Sequence, residues 1–128
     1  MGIKLDMVGI VVKDMKAALD FYRTLGLDIP EQANGEAHVE VAQSGFRLAF
    51  DKQEMIKGVY GGWVEPVGHR IEIAFLCDSS DEVNKVYQTV IEAGYQGHNE
   101  PWDAFWGQRY AIVQDPDGNL ISLFASLE

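Results

Sequence analysis

Apolar residues alternate with polar ones, or cluster as β-branched and aromatic residues, in several stretches of the chain. These patterns are typical of strands with one buried face. Gly or Pro clusters bound most of these stretches. The predicted strands are Leu5–Val12, Leu27–Pro30 as a short edge strand, Ala37–Ala42, Phe46–Asp51, His69–Cys77, Tyr95–His98, Gln108–Gln114 and Asn119–Ala125.

Two other stretches have helical spacing. In the first, Asp14 is a candidate N-cap and Gly26 ends the helix. In the second, Ser79 or Ser80 caps a helix that closes at Ala93-Gly94. The apolar stripes of the two helices are Met15, Ala18, Leu19, Tyr22 and Leu25, and then Val83, Val86, Tyr87, Val90 and Ile91.

The order β-α-β-β-β therefore occurs twice, which indicates an internal repeat. We predict one α+β domain over residues 1–128, with a first module over about 1–52 and a second over about 69–128. The stretch between them, about 53–68, has no clear period and contains Gly58, Gly61 and Gly62, so we interpret it as a linker or lid.

Charge and cysteine content narrow the possible functions. A formal net charge of -10 argues against nucleic acid and anionic membranes as partners and would suit a cationic ligand. The chain has one cysteine, Cys77, which fits a reducing compartment. The N-terminus has no basic region or cleavage site typical of a signal peptide, so we expect a cytoplasmic protein.

Two motifs carry a resemblance to a known family. The final hairpin has an aromatic-Gly-x-Arg start at Trp106 and a DPDGN turn at 115–119, in which Pro116 and Gly118 favour a tight turn. The opening segment, LDMVGIVVKDMKAALDFYRTLGL, has a strand and a helix with an FY pair. Together they resemble the glyoxalase/bleomycin-resistance/dioxygenase proteins, the vicinal oxygen chelate superfamily.

This resemblance implies two βαβββ modules whose sheets curl into a half-barrel around a ligand cavity, usually in a homodimer. The family's enzymes hold one divalent metal at four strand positions. Those positions fall on Met7, Ala49, Glu72 and Ser122, of which only Glu72 could bind a hard cation. We therefore expect no metal and no other cofactor.

Strand parity and the resemblance together define the predicted ligand site. Its side chains lie on the inner sheet faces, in the loops, or just after the WGQ turn. Glu40 and Arg47 flank a hairpin turn and could simply neutralise each other, and Arg109 could form a structural ion pair. The tryptophans could instead serve loop packing or a dimer contact. The predicted residues are Met7, His38, Glu40, Arg47, Ala49, Tyr60, Trp63, Glu72, Trp102, Trp106, Arg109 and Ser122.

Two functional hypotheses follow from the resemblance. The first is a non-catalytic, antibiotic-resistance-like protein that sequesters a planar, aromatic or cationic compound, because loop tryptophans can stack on such ligands. The second is a lyase, isomerase or dioxygenase-type enzyme with an atypical metal or with Glu72 as a catalytic base. Pairing of Glu72 with Arg70, Arg47 or Arg109 would argue against that role.

Overall fold

A computed structural model of the chain describes residues 2–128. It is a mixed α+β structure that divides into two compact units, with the boundary between Pro66 and Val67. No helix among residues 2–128 is both long and apolar enough to cross a membrane. The elements of unit 1 are β1 (Met7–Val12), α1 (Met15–Leu25), a 3-10 helix (Glu31–Gly35), β2 (His38–Gln43), β3 (Phe46–Lys52) and α2 (Gln53–Tyr60). Those of unit 2 are β4 (Ile73–Leu76), α3 (Ser80–Glu92), β5 (Gln96–Ala104), β6 (Gln108–Gln114) and β7 (Leu120–Ser126).

The sheet of unit 1 has the order β1-β3-β2. β1 runs parallel to β3, and β2 runs antiparallel to it. Helix α1 is the crossover between β1 and the rest of the sheet, and Tyr22 on this helix packs on Phe50 of β3 with ring centroids 4.8 Å apart. Both side chains are fully buried, so the face toward α1 forms the core of this unit.

The ends of α1 form as the sequence predicts. The Asp14 side chain accepts a hydrogen bond from the backbone N–H of Ala17 at 3.0 Å. Gly26 has a φ of 112°, a left-handed conformation that glycine adopts without steric cost. The predicted bounds of this helix are therefore confirmed.

The sheet of unit 2 has the order β4-β7-β6-β5, again with a parallel pair, β4 and β7, at one side. The Ser79 side chain caps α3 by accepting from the backbone N–H of Glu82 at 3.1 Å. α3 covers the sheet face that carries Ala111, Val113 and Ile121, all of them fully buried. Each unit therefore has one covered and largely apolar sheet face.

The DPDGN turn joins β6 to β7 as predicted. The buried carboxylate of Asp115 accepts hydrogen bonds from the backbone N–H groups of Asp117 and Asn119, both at 2.9 Å, and from the Asn119 side chain. Because these donors lie in the turn itself, Asp115 organises the loop in the way that Asp and Asn commonly do.

The predicted edge strand over 27–30 is absent from the described sheet of unit 1, which has three strands. The reason lies in the neighbouring helix. Arg23 donates from Nε to the carbonyl oxygen of Ile29 at 2.9 Å and from Nη2 to that of Pro30 at 2.8 Å. These carbonyl groups bond to a side chain, and Pro30 has no N–H to give to a strand.

The prediction of a linker over 53–68 is wrong for its first half, which is helix α2. Ile56 is the buried residue of this helix, and Gly61 ends it with a φ of 79°. The helix is only eight residues long and contains Gly58, so its apolar spacing is too short to give a clear period.

Two strands of unit 2 differ from their predicted bounds. β4 begins at Ile73, and Ile71, which lies inside the predicted strand His69–Cys77, precedes β4 and is 77% exposed. β5 is longer than predicted and continues through Pro101 to Ala104, where a loop was expected. Irregular register between Gly97 and Trp102 accommodates the proline, because a bulge does not require every backbone N–H to bond across the strands.

A glycine on β5 gives a direct test of this packing. A Cβ atom at Gly97 would lie 2.1 Å from the Tyr87 hydroxyl oxygen and 3.0 Å from Ile91 Cδ1 on α3. We expect Gly97→Ala to lower the free energy of unfolding by about 1–3 kcal/mol, measured by urea denaturation, because the added methyl overpacks the helix–sheet contact. Gly58→Ala is the matched control: its Cβ meets nothing within 4 Å, so we expect it to be neutral or stabilising. Equal losses for the two variants would contradict the close approach of α3 to Gly97.

Candidate functional site

The sheet face of unit 1 that lies opposite α1 carries an unbroken series of ion pairs. Strand alternation and register place His38 and Glu40 of β2 on this face with Arg47, Ala49 and Asp51 of β3. This parity was predicted from the sequence. The face is therefore polar, in contrast to the apolar face under α1.

The ion pairs form a chain of alternating charge, which we call the ionic chain. His38 Nδ1 contacts Asp51 Oδ1, and His38 Nε2 lies 2.7 Å from Glu40 Oε2. Arg47 then donates from Nη1 to the same Glu40 oxygen and from Nη2 to Asp6 Oδ2, each at 2.6 Å. The predicted pairing of Arg47 with Glu40 across the hairpin is therefore confirmed.

These contacts change the titration of the groups involved. Hydrogen bonds to Glu40 and then to Asp51 raise the pKa of His38 above its ordinary value. The bonds from His38 and then Arg47 lower the pKa of Glu40. Both shifts favour the charged forms of these two groups. Each carboxylate of the ionic chain contacts Arg47 or His38, so the chain offers no uncontacted carboxylate to a cationic ligand.

The sheet face of unit 2 that lies opposite α3 has a different chemistry. One row of side chains crosses all four strands: Trp102 pairs with Tyr110, Tyr110 with Phe124, and Phe124 with Leu76. We call these four residues the apolar row. Trp102 and Tyr110 contact with ring centroids 5.5 Å apart, and Tyr110 stacks on Phe124 at 6.3 Å.

Trp106 extends the apolar row at the turn between β5 and β6. Its ring makes edge contacts with Trp102 at 6.2 Å and with Tyr110 at 5.2 Å, and its indole N–H donates to Gln108 Oε1 at 2.7 Å. Trp106 is 48% exposed and Leu76 is 73% exposed. The rings are thus held in place by one another and still present apolar surface.

On this face, the residues of β4, β6 and β7 that lie outside the apolar row are all uncharged. These residues are Ala74, Gln108, Ile112, Gln114, Leu120, Ser122 and Ser126. A charged ligand would therefore find no partner of opposite charge on this face of the three strands.

Arg109 was predicted to bind ligand, but the structure places it on the opposite face, under α3. It donates from Nε to Asn84 Oδ1 of that helix and from Nη1 to Asp103, both at 3.0 Å. Arg109 alternates with Tyr110 along β6 and shares its side of the sheet with Ala111 and Val113. The alternative interpretation, a structural ion pair, describes these contacts.

Three other predicted residues belong to neither the ionic chain nor the apolar row. Tyr60 is the last residue of α2 and is 69% exposed. Trp63 donates to Glu65 Oε1 at 3.1 Å, which in turn pairs with Lys13. Glu72 lies inside the predicted strand His69–Cys77, but in the structure it is exposed and precedes β4, so its predicted position within a strand is wrong.

Sequence reasoning left several residues of both features out of the predicted site. In unit 1 these are Asp51, whose side chain is 8% exposed, and Asp6. In unit 2 they are Tyr110, Phe124 and Leu76. Strand parity was the available signal for most of them, because Asp51 lies on the same strand face as Arg47, and Tyr110 lies on the same face as Gln108.

Comparison with known proteins identifies the class of fold. Residues 4–123 match the model of the Glyoxalase/Bleomycin resistance protein/Dioxygenase superfamily, and the chain belongs to this superfamily. The resemblance noted from the two sequence motifs is thereby confirmed. A curated relative, "Uncharacterized protein YraH" of Bacillus subtilis (strain 168), is 27% identical over 128 residues, which covers 98% of this chain and all of the relative.

Solved structures have the same fold. A glyoxalase/bleomycin resistance protein/dioxygenase family enzyme from Burkholderia phytofirmans PsJN aligns with a TM-score of 0.83 at 20% identity, over 98% of this chain and 100% of that one. TioX from Micromonospora sp. ML1 aligns with a TM-score of 0.64, also at 20% identity, over 97% and 99% of the two chains. At these identities the likeness extends to the fold alone.

The metal that the family's enzymes hold does not fit the side chains of this chain. In unit 1 the corresponding positions are Met7, a thioether, and Ala49, which has no donor atom and is fully buried. In unit 2 they are Ser122, a buried hydroxyl, and the exposed Glu72. Among residues 2–128, no group of three or more His, Cys, Asp or Glu side chains is arranged to hold a metal. This donor set lacks the converging N, O or S ligands that zinc, nickel or iron requires.

The position of Arg109 under α3 predicts that this residue contributes to the stability of the fold. We expect Arg109→Ala to lower the free energy of unfolding by about 1–2 kcal/mol, because Asn84 and Asp103 lose their partner and the arginine stem no longer packs under α3. Arg70→Ala, at an exposed position, is the control and should change it by less than about 0.5 kcal/mol. Urea denaturation measures both, and an Arg109→Ala protein as stable as the control would contradict the assignment.

Proposed function

We propose that this protein binds a planar, uncharged aromatic small molecule on the apolar row and Trp106 of unit 2, and holds it without converting it. The observation that carries the proposal is the set of four mutually oriented rings, with exposed surface at Trp106, on a face where the neighbouring side chains of β4, β6 and β7 carry no charge. Pre-oriented rings cost little entropy on binding, and their faces suit stacking.

The two sheet faces also favour one of the two ligand chemistries expected from the sequence. A cation would need a free carboxylate, but those of the ionic chain already contact Arg47 or His38. The apolar row needs only a ring to stack on. We therefore propose a planar compound rather than a cationic one, despite the net charge of -10.

Holding without turnover is supported by the side chains at the family's ligand positions. The thioether of Met7, the methyl group of Ala49 and the hydroxyl of Ser122 do not form a binding site for the metal that the family's enzymes use. Glu72, the candidate base, is exposed, and no described feature directs it at a bound molecule. Sequestration of a planar antibiotic is one form that this proposed function could take.

Fluorescence quenching tests the proposal with two probes of similar shape, the uncharged acridone and the cationic 9-aminoacridine. In a Trp63→Phe background only Trp102 and Trp106 report, so quenching reports on unit 2. At about 0.3 M salt, where long-range attraction to the acidic protein is screened, we expect acridone to quench saturably and to bind at least as tightly as the cation.

Truncation of one ring should weaken this binding. We expect Trp106→Ala to lose about tenfold in affinity for acridone, because one stacking surface is removed while the half-exposed position spares the core. Tyr60→Ala removes an exposed aromatic side chain of unit 1 and serves as the matched control, with unchanged affinity expected.

Three outcomes would contradict the proposal. The first is no saturable quenching by either probe, and the second is an equal loss of affinity in Trp106→Ala and Tyr60→Ala. The third is a protein that binds no probe and changes from dimer to monomer on Trp106→Ala, measured by sedimentation. That result would mean that a second copy of the chain covers the rings.

A further inference from the structure

In unit 1 the ring of His38 lies between two carboxylates. Its Nδ1 faces Asp51 and its Nε2 faces Glu40, so both ring nitrogens are engaged by acceptor atoms. This arrangement lies outside the aromatic features of unit 2, and its chemistry is independent of the proposed function.

The number of protons on the ring follows from these contacts. An ionised carboxylate has no hydrogen to donate, so each contact requires an N–H on the imidazole. Two such contacts require both nitrogens to be protonated, which is the imidazolium form. A neutral ring has one N–H and can keep only one of the two carboxylates.

The structure indicates which carboxylate the neutral ring would keep. The Asp51 side chain is 8% exposed, and one of its oxygens lies 3.1 Å from the position that a Cβ on Gly9 would occupy. Leaving this buried carboxylate without a hydrogen bond would be costly. The Glu40 side chain is 38% exposed, so water can solvate it if the ring nitrogen beside it loses its proton.

We propose that His38 is a proton-operated latch on Glu40: the imidazolium bridges Asp51 and Glu40, and loss of the Nε2 proton breaks the contact with Glu40, which then stays bonded to Arg47. The step is a plain acid–base reaction, in which Nε2–H gives its proton to water or buffer and its lone pair then faces the carboxylate. Nδ1–H continues to donate to Asp51. Glu40 continues to accept from Arg47 Nη1, so opening of the latch removes one of its two cationic partners.

The charged groups around the latch come from three parts of the unit. Glu40 lies on β2 beside His38, Asp51 and Arg47 come from β3, and Asp6 comes from the segment before β1. With the imidazolium, the ionic chain has two cations and three carboxylates. Without it, Arg47 is the cation that remains, and it contacts Glu40 and Asp6 but not Asp51, so electrostatics favour the closed latch.

The sign of the pH dependence follows from the direction of the shift. The pKa of folded His38 is raised by its bonds to Glu40 and then Asp51, so folding favours the protonated ring. This stabilisation is fully present below the pKa of an unfolded histidine and is lost as the pH rises through the raised folded value. The latch is thus closed in mildly acidic solution and opens on the alkaline side of an ordinary histidine titration.

NMR of the wild-type protein tests the latch directly. Long-range proton–nitrogen spectra of the imidazole rings, assigned with His69→Gln and His98→Gln, report the protons on each ring nitrogen. We expect both nitrogens of His38 to be protonated at a pH where the imidazole of a free histidine peptide, measured in the same buffer, is already neutral. A His38 that titrates together with this peptide would overturn the proposal.

A histidine that kept its contact with Glu40 in both protonation states would also have a raised titration midpoint, so loss of the contact needs its own readout. Carbon relaxation at the Glu40 side chain should show more restricted motion below the His38 midpoint, where His38 and Arg47 both hold the carboxylate, than above it, where Arg47 holds it. Glu40 side-chain motion that is the same on both sides of the midpoint would overturn the latch. In Glu40→Gln the His38 midpoint should fall, because the first of its two carboxylate partners is neutral.

A stability measurement gives an independent check. The melting temperature of the wild type, relative to that of His38→Gln, should be highest in mildly acidic solution and should decline as the pH rises through the His38 midpoint. A difference that is constant across this range would contradict the proton linkage. If His38→Gln does not fold, the wild-type NMR titration alone decides.

Discussion

Each unit of this protein has a helix that covers one face of its sheet, and this constraint determines the chemistry of the opposite face. The covered faces are apolar because they form the cores, as the packing of Tyr22 on Phe50 and the burial of Ala111, Val113 and Ile121 show. Since side chains alternate along a strand, half of the strand residues are directed to the other side. Those residues are free to differ between the units, and they do.

The two units use these opposite faces in unlike ways. Unit 1 places charged residues there and satisfies them with one another, from Asp51 through His38, Glu40 and Arg47 to Asp6. Unit 2 places rings there, from Trp102 through Tyr110 to Phe124. The repeat of element order is therefore not a repeat of surface chemistry. A planar uncharged ligand suits the second face, and a proton-dependent contact suits the first.

The sequence predicted the elements whose signals are local. Helix α1 has a side-chain cap and a glycine stop, the last hairpin has a strong turn motif, and all of these form as expected. Helix α2 is too short for a periodic signal. The segment 27–30 has a strand-like composition, but its carbonyl groups bond to Arg23, a partner that composition does not reveal. The start of β4 and the length of β5 depend on pairing with distant strands, which no local pattern encodes.

The same distinction between local signals and tertiary contacts holds for the predicted ligand site. Alternation correctly grouped Glu40 with Arg47, and a contact between them follows from the hairpin. Arg109 was expected beside the rings because of the resemblance, although its parity with Ala111 and Val113 places it under α3. Asp51 was left out because a charged residue near a strand end is usually exposed, although its parity with Arg47 placed it on the same face, where it contacts His38.

The indole N–H signals of the three tryptophans provide the most direct test of the central claim, that the rings of unit 2 are the ligand-binding surface. In proton–nitrogen spectra recorded during a titration with acridone, the signals of Trp102 and Trp106 should shift together and saturate, while that of Trp63 should stay in place. Trp63 lies in unit 1 and bonds to Glu65, which makes it an internal control. Movement of Trp63 alone, or of none of the three, would contradict the claim.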